Sequence, residues 1–250
     1  MGESTSAELP DWPRTEAEAV AAQERLREAA DLVGPGPGPE QVRTVAGVDV
    51  AYADDGGLVA AAVVLDAATL TVLDEAVHVG RTDFPYVPGL LAFRELPSVM
   101  AALRGLSRHP RPDVVVCDGY GVAHPRRAGL AVHLGVLTGL PCFGVAKTPF
   151  LFEYAQPGHE RGAWTPLTIG GEQVGRALRT RAGVKPVFVS VGSRIGLDNA
   201  CALTLRLART YRQPETTRRA DRLARRGLAE HRGRSAGREG SGEGKVTPLS

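Results

Sequence analysis

Four side chains in this 250-residue chain have the types and neighbours to do chemistry on a phosphate. Asp49 stands in the run VAGVDVAY, an acid between two valines in an otherwise apolar stretch. Burying such a carboxylate is costly unless it is paired or metal-bound; on its own it reads equally as a strand-end Asp capping a turn. Asp118 closes the apolar run DVVVC directly before Gly119, and strand ends beside a chain reversal are where α/β sheets place their sites. If the two strands are neighbours the carboxylates meet, and a divalent cation between them relieves their repulsion. All-oxygen ligation favours Mg²⁺, or Mn²⁺ in its place, over zinc. Glu95, in LLAFRELP, is by itself an ordinary solvent-facing helix residue. In the company of Asp49 and Asp118 it becomes a third acid, a set suited to phosphodiester hydrolysis. Lys147, ending GVAK, adds a fixed positive charge toward the phosphate, or else snorkels from a strand end.

Two further segments look built to meet a ligand. In DGYGVAHPRRAGLAVHLG (118–135), Gly119 and Gly121 permit close backbone approach. Pro125 ends the loop, and a helix starting near Arg126 or Arg127 would offer its unpaired amides to an anion. His124 reads as a phosphate or base contact, whereas His133, among apolar helix residues, reads as a core histidine. In TDFPYVPG (82–89), Tyr86 lies between Pro85 and Val87-Pro88. A proline-stiffened exposed aromatic is a candidate wedge or stacking group for a base; the alternative is a turn tyrosine packed on the core.

The elements that must position these residues follow from pattern. Thr15 to Leu32 is Ala/Glu-rich with a capping-box spacing at Thr15 and Glu18, a helix stopped by GPGPGP (34–39). Strand-like runs follow at Val42 to Tyr52, Leu58 to Asp66 and Thr69 to Val79, with connections short enough to make an antiparallel meander. Gly89 to Leu106 has helical apolar spacing, with Pro97 expected to bend or divide it. Asp113 to Cys117, Cys142 to Ala146 and Lys185 to Val191 read as buried strands. Helices are expected at Arg127 to Gly139, Gly196 to Tyr211 and Glu215 to His231. This order predicts one mixed-sheet α/β domain of ribonuclease-H-like arrangement, which does not by itself give a function. The expected organisation is an N-terminal helix and Gly/Pro linker (1–39), the main domain with its C-terminal helices (40–231) and a disordered tail (232–250).

Composition narrows the classes. A hydrophobic fraction of 43% supports a sizeable core, and 5% aromatics means that Ala, Val and Leu must build it. No stretch is long enough for a membrane span, and the N-terminus lacks an apolar export segment. MGESTS matches the loose myristoylation pattern at Gly2, as chance alone can produce. The cysteines Cys117, Cys142 and Cys201 form no CxxC pair and read as buried hydrophobes in a reducing, cytoplasmic compartment. Residues 218–245 carry nine basic against four acidic residues, leaving the rest of the chain slightly acidic. That basic end suits a polyanion partner or, equally, a solvated helix face.

Taken in order, VAGVDVAY, PYVPGLLAFRELP, DGYGVAHPRRAGLAVHLG, LPCFGVAK and VFVSVGSRIGLDNA resemble the endonuclease V (deoxyinosine 3′-endonuclease) family, from about Glu18 to about Tyr211. The resemblance implies a monomeric, Mg²⁺-dependent repair nuclease that recognises deaminated adenine in DNA. It would nick the second phosphodiester bond 3′ to the lesion; related members act on inosine in RNA. By motif position, Asp49 and Asp118 would hold the metal, Glu95 would be the third catalytic acid and Tyr86 the strand-separating wedge. Lys147 and His124 would be catalytic or nucleic-acid contacts, with Pro85, Val87, Pro88 and Arg126 beside them. Leu91, Gly119, Gly121, Leu130, Gly144 and Phe150 would line the pocket for the flipped base. One departure stands out: the family usually reads VGH where this chain has Val191-Gly192-Ser193. The resemblance puts that histidine near the metal, so Ser193 removes an imidazole from the site, and Ser193→His should raise the rate at limiting Mg²⁺. Two rivals remain open. An actin-like sugar or acetate kinase shares the GVDV opening but needs a second domain; a lesion-binding protein would have lost cleavage through Ser193.

Overall fold

A computed structural model describes residues 12–109 and 111–239, with side chains as far as Gly233. The myristoylation pattern at Gly2 and the tail beyond Glu239 lie outside the described residues. The meander forms as expected: β1 (Thr44–Tyr52), β2 (Gly57–Asp66) and β3 (Val72–Arg81) pair antiparallel in sequence. Next come α2 (Ala92–Arg104), β4 (Val114–Cys117), α3 (Leu130–Thr138) and β5 (Cys142–Ala146), preceded in the chain by α1 (Glu16–Ala29). β6 (Trp164–Ile169), β7 (Glu172–Leu178), β8 (Val187–Ser193), α4 (Leu197–Leu207) and α5 (Glu215–Glu239) complete the chain. All eight strands join one mixed sheet in the order β3-β2-β1-β4-β5-β8-β7-β6. This is the ribonuclease-H-like architecture, and the described residues hold one such sheet.

The sheet is buried on both faces at its centre. β2 is covered over eight of its ten positions, while β3 at the edge alternates and leaves Val77 and Val79 half exposed. One face packs Ala60, Ala62, Val64 and Val115 under α2 and α3; the other packs Ala61, Val63 and Leu65 under Ala220, Leu223 and Ala224 of α5. Gly47 makes the second contact possible. A β-carbon there would sit 2.3 Å from the Thr216 backbone, so only glycine lets α5 lie against β1.

Pro97 neither breaks nor divides α2. It removes the amide that would bond the carbonyl four residues back, that of Phe93. The indole Nε1–H of Trp12 donates to that oxygen at 3.0 Å instead. α1 carries the expected capping box and packs Ala19, Ala22 and Leu26 inward. The hairpin β6–β7 was not anticipated. Its turn is Gly170-Gly171, both with positive φ (61° and 82°), as a two-residue hairpin of this hand requires. α5 runs to Glu239, eight residues beyond the boundary expected at His231.

Candidate active site

Val48 pairs with Cys117 across the parallel β1–β4 ladder, so the following residues, Asp49 still within β1 and Asp118 just past the end of β4, stand beside each other with the same side-chain parity. Burial, then repulsion from Asp118, pushes the Asp49 carboxyl up to about 8. Burial also raises Asp118, against the pull of Lys147, whose Nζ lies 2.5 Å from its Oδ2. Burial opposes the charge on Lys147, yet the hydrogen bond and attraction to Asp118 prevail and raise its pKa. The Lys147 backbone is fixed in turn by Arg212, which donates to its carbonyl at 2.5 Å.

Glu95 faces inward from α2. It is 9% exposed and accepts a hydrogen bond from the Tyr52 hydroxyl at 3.0 Å. Burial lifts it to about 7, with Asp118 adding to the rise and the Tyr52 bond and Arg94 opposing it. Three carboxyls that resist ionisation, with Asp118 acting on both of the others, are what a divalent cation would relieve, and their all-oxygen chemistry fits such an ion. Among the described residues, however, no three acidic, histidine or cysteine side chains close into a ready cage. Asp49 and Asp118 form the pair that would hold an ion, and Glu95 stands off on Tyr52.

On one side of Asp118 opens a mainly apolar pocket of about 170 Å³, walled by Leu91, Gly119, Leu130, Phe150 and Tyr120, with Tyr86 at its rim. Tyr120 and Phe150 stack with centroids 5.5 Å apart and planes 19° from parallel. Tyr86 is 72% exposed, while the loop that carries it is held at both shoulders. Phe84 packs on Phe93 and its carbonyl accepts from Arg94; the Gly89 carbonyl accepts from Gln23 at 2.8 Å and lies 3.0 Å from both His124 and Arg126. Val87 and Pro88 also face the pocket, whereas Pro85 is exposed outside it.

Several expectations need correction. Gly121 and Gly144 do not line the pocket. A β-carbon on Gly121 would lie 1.8 Å from the Val191 carbonyl, and one on Gly144 2.3 Å from that of Gly119, so both serve to seat the 118–121 turn on the sheet. The helix does not start at Arg126 or Arg127. Arg126 N–H donates to His124 Nδ1, Arg127 N–H to the His124 carbonyl, and α3 begins at Leu130, so no free amides face an anion there. The Arg126 guanidinium is turned inward, its Nε donating to Gln23 Oε1 at 2.5 Å. His124 is buried and held neutral, burial lowering it to about 4 with Arg126 adding to the effect. Ser193 is not near the carboxylates. It pairs with Cys142 at the opposite end of β5, is 1% exposed, and its Oγ bonds the backbone of Asp31. His133 is fully buried, its ring 5.0 Å from that of Phe93, and burial holds it neutral.

Four contributors escaped the sequence reading. Tyr52 ends the first motif and holds Glu95. Gln23 sits in an alanine-lined helix face, where a lone amide is itself a signal of a buried polar partner. Tyr120 forms the pocket wall. Asp221, a lone acid among arginines on α5, lies close enough to influence Asp49, Asp118 and Lys147.

Comparison with known proteins finds strong similarity over most of the chain. The Endonuclease V family model matches residues 27–222. Endonuclease V of Streptomyces avermitilis is 62% identical over 228 residues, covering 90% of this chain and 98% of the relative. That of Streptomyces coelicolor is 61% identical over 229 residues, covering 91% and 97%. The crystal structure of the Streptomyces avermitilis protein superposes with a TM-score of 0.85 at 63% identity, over 88% of this chain and 96% of that one. Ciona intestinalis Endonuclease V, solved with a 24-mer DNA containing an inosine followed by a ribo-adenosine, superposes with a TM-score of 0.75 at 27% identity, over 86% and 98%.

Proposed function

We propose a function from the premise that this chain belongs to the endonuclease V family: it is a repair endonuclease that recognises deaminated adenine in DNA and hydrolyses the strand with Mg²⁺, at the second phosphodiester bond 3′ to the lesion. The observation that carries this reading is the pair Asp49 and Asp118 on adjacent parallel strands, at the edge of a stacked aromatic pocket. Tyr86, on a loop braced at both ends, parts the strands, and the lesion base turns into the pocket against Phe150 and Tyr120. A mismatched base leaves the duplex more easily than a paired one, which contributes part of the selectivity. Backbone groups at Gly119 distinguish the carbonyl and ring N–H of hypoxanthine from the amino group of adenine. Asp49 and Asp118 would hold the divalent ion, which when bound would supply water activation and charge shielding at phosphorus. Glu95, with a pKa near neutrality, orients the attacking water and takes its proton, while Tyr52 fixes the carboxyl. The Lys147 ammonium meets the phosphate charge from the side of Asp118.

A second reading, an inosine-specific ribonuclease, draws on the ribo-adenosine that follows the inosine in the Ciona complex. The reading as a binding protein without cleavage rested on Ser193 beside the metal, and Ser193 packs on Asp31 instead. A cytoplasmic location belongs to the same proposal, supported by three buried free thiols, as does a monomeric state; no helix among the described residues is long and apolar enough to cross a membrane. The test is nicking of deoxyinosine duplex DNA, single-stranded DNA and inosine RNA in Mg²⁺, with cut positions mapped. Asp118→Ala should lose roughly a thousandfold in rate while lesion affinity stays within a few fold. Full turnover in that variant would remove the metal assignment.

A further inference from the structure

Past Lys147, which touches the Asp118 of the base pocket, lies a second cavity of about 240 Å³ that shares no lining residue with the first. Lys147, Gln213, Arg218, Asp221, Arg222 and Arg225 line it, four cations against one acid. Three of the cations are engaged: Lys147 on Asp118 at 2.5 Å, Arg225 on Asp221 at 2.8 Å, and Arg218 on Glu215 at 2.7 Å while also stacked 3.3 Å above the Tyr211 ring. Arg222 is exposed and forms no hydrogen bond or ion pair with the described residues. A net-positive concavity with an uncommitted guanidinium is a place for a phosphate, which arginine binds with two parallel donors.

The order of the two cavities assigns the phosphate. Lys147 bridges them, lining the second cavity while touching the Asp118 that borders the first. On the reading that the lesion base occupies the first pocket and the cut falls 3′ of it, a strand running from that pocket across the carboxylates continues 3′ into the second cavity. We propose that this α5 cavity is a phosphate subsite for the strand 3′ of the cut, with Arg222 as its principal ligand. The proposal rests on the nuclease reading above and adds a direction to it.

The test uses the full chain and duplexes whose inosine strand either continues ten nucleotides past the cut or stops just beyond it, the complement being kept whole. Wild type should lose about tenfold in kcat/KM on the shortened strand, the size of one charge-assisted contact. Arg222→Ala should lose a similar factor on the long strand through KM, with kcat unchanged, and little more on the short one. Arg222→Lys should recover most of the loss, because the charge is kept. Equal losses of Arg222→Ala on both substrates, or no loss on the long one, would overturn the subsite while leaving the nuclease reading intact. No nicking of the long inosine duplex by wild type would overturn both.

Discussion

Two carboxyls that prefer to stay neutral make this site sensitive to pH in a defined direction. Asp49 rises from an ordinary 3.8 to about 8, and Glu95 from 4.5 to about 7, in both cases chiefly through burial. A raised folded-state pKa means that the fold favours the protonated acid, so its stabilising effect is complete below about pH 4 and is lost as pH climbs toward 8. The metal-free protein should therefore melt at falling temperature from pH 5 to pH 8 as far as these groups decide it. Added Mg²⁺ should restore more of the melting temperature at pH 8 than at pH 5; calorimetry with and without the ion measures this, and a Mg²⁺ effect independent of pH would contradict it. Ser193→His should leave the Mg²⁺ concentration for half-maximal nicking unchanged, because position 193 faces Asp31 at the far end of β5 from Asp118. A titration of rate against Mg²⁺ checks that outcome.

At the scale of elements, the C-terminal shoulder of the loop proposed as the wedge is held at one carbonyl. Gly89 O receives Gln23 and is flanked by His124 and Arg126, so α1, the loop and the segment before α3 are tied at one buried point. Gln23→Leu should leave Arg126 and the Ala128 carbonyl without a buried partner, costing about 2–3 kcal/mol in chemical denaturation. It should also raise KM for inosine duplex several-fold with kcat nearly kept, since the loop would position the lesion less well; an unchanged KM would show that the brace is structural only. Gln23 shows what the sequence hides. The meander with Asp49 inside its first strand, the strand end at Asp118 and the helix bearing Glu95 were all legible because hydrophobic period and turn residues are local signals. Tyr52 acts across 43 positions, Gln23 across 66 or more and Asp221 from a helix that reads as plainly basic; the lone amide of Gln23 signals that a buried partner exists, but no local pattern says which. The β6–β7 hairpin did carry a signal, the paired glycines 170 and 171, and Pro166 suits the outermost strand it occupies. Ser193 was misplaced because a motif gives sequence order and leaves open which end of a strand faces the chemistry.

At the scale of the whole molecule, Asp118 borders an apolar pocket while its partner Lys147 borders a basic cavity, and α5, which lines that cavity, carries the basic end of the chain. Removal of everything after His231 should weaken affinity for DNA by a similar factor whatever the sequence and flatten the salt dependence, as loss of phosphate contacts does. Binding titrations over a range of salt would show it; an unaltered slope would assign the tail no electrostatic part. The indole of Trp12, docked on the carbonyl that Pro97 frees, has one more use. It rests on the helix that carries Glu95, and the chain has only one other tryptophan, Trp164, under Arg176 at the far hairpin. With Trp164→Phe, the remaining fluorophore becomes an optical gauge of that helix. A change in its emission when inosine DNA arrives would mean that the helix bearing Glu95, the proposed general base, shifts on engagement, and steady emission would mean that it is preset.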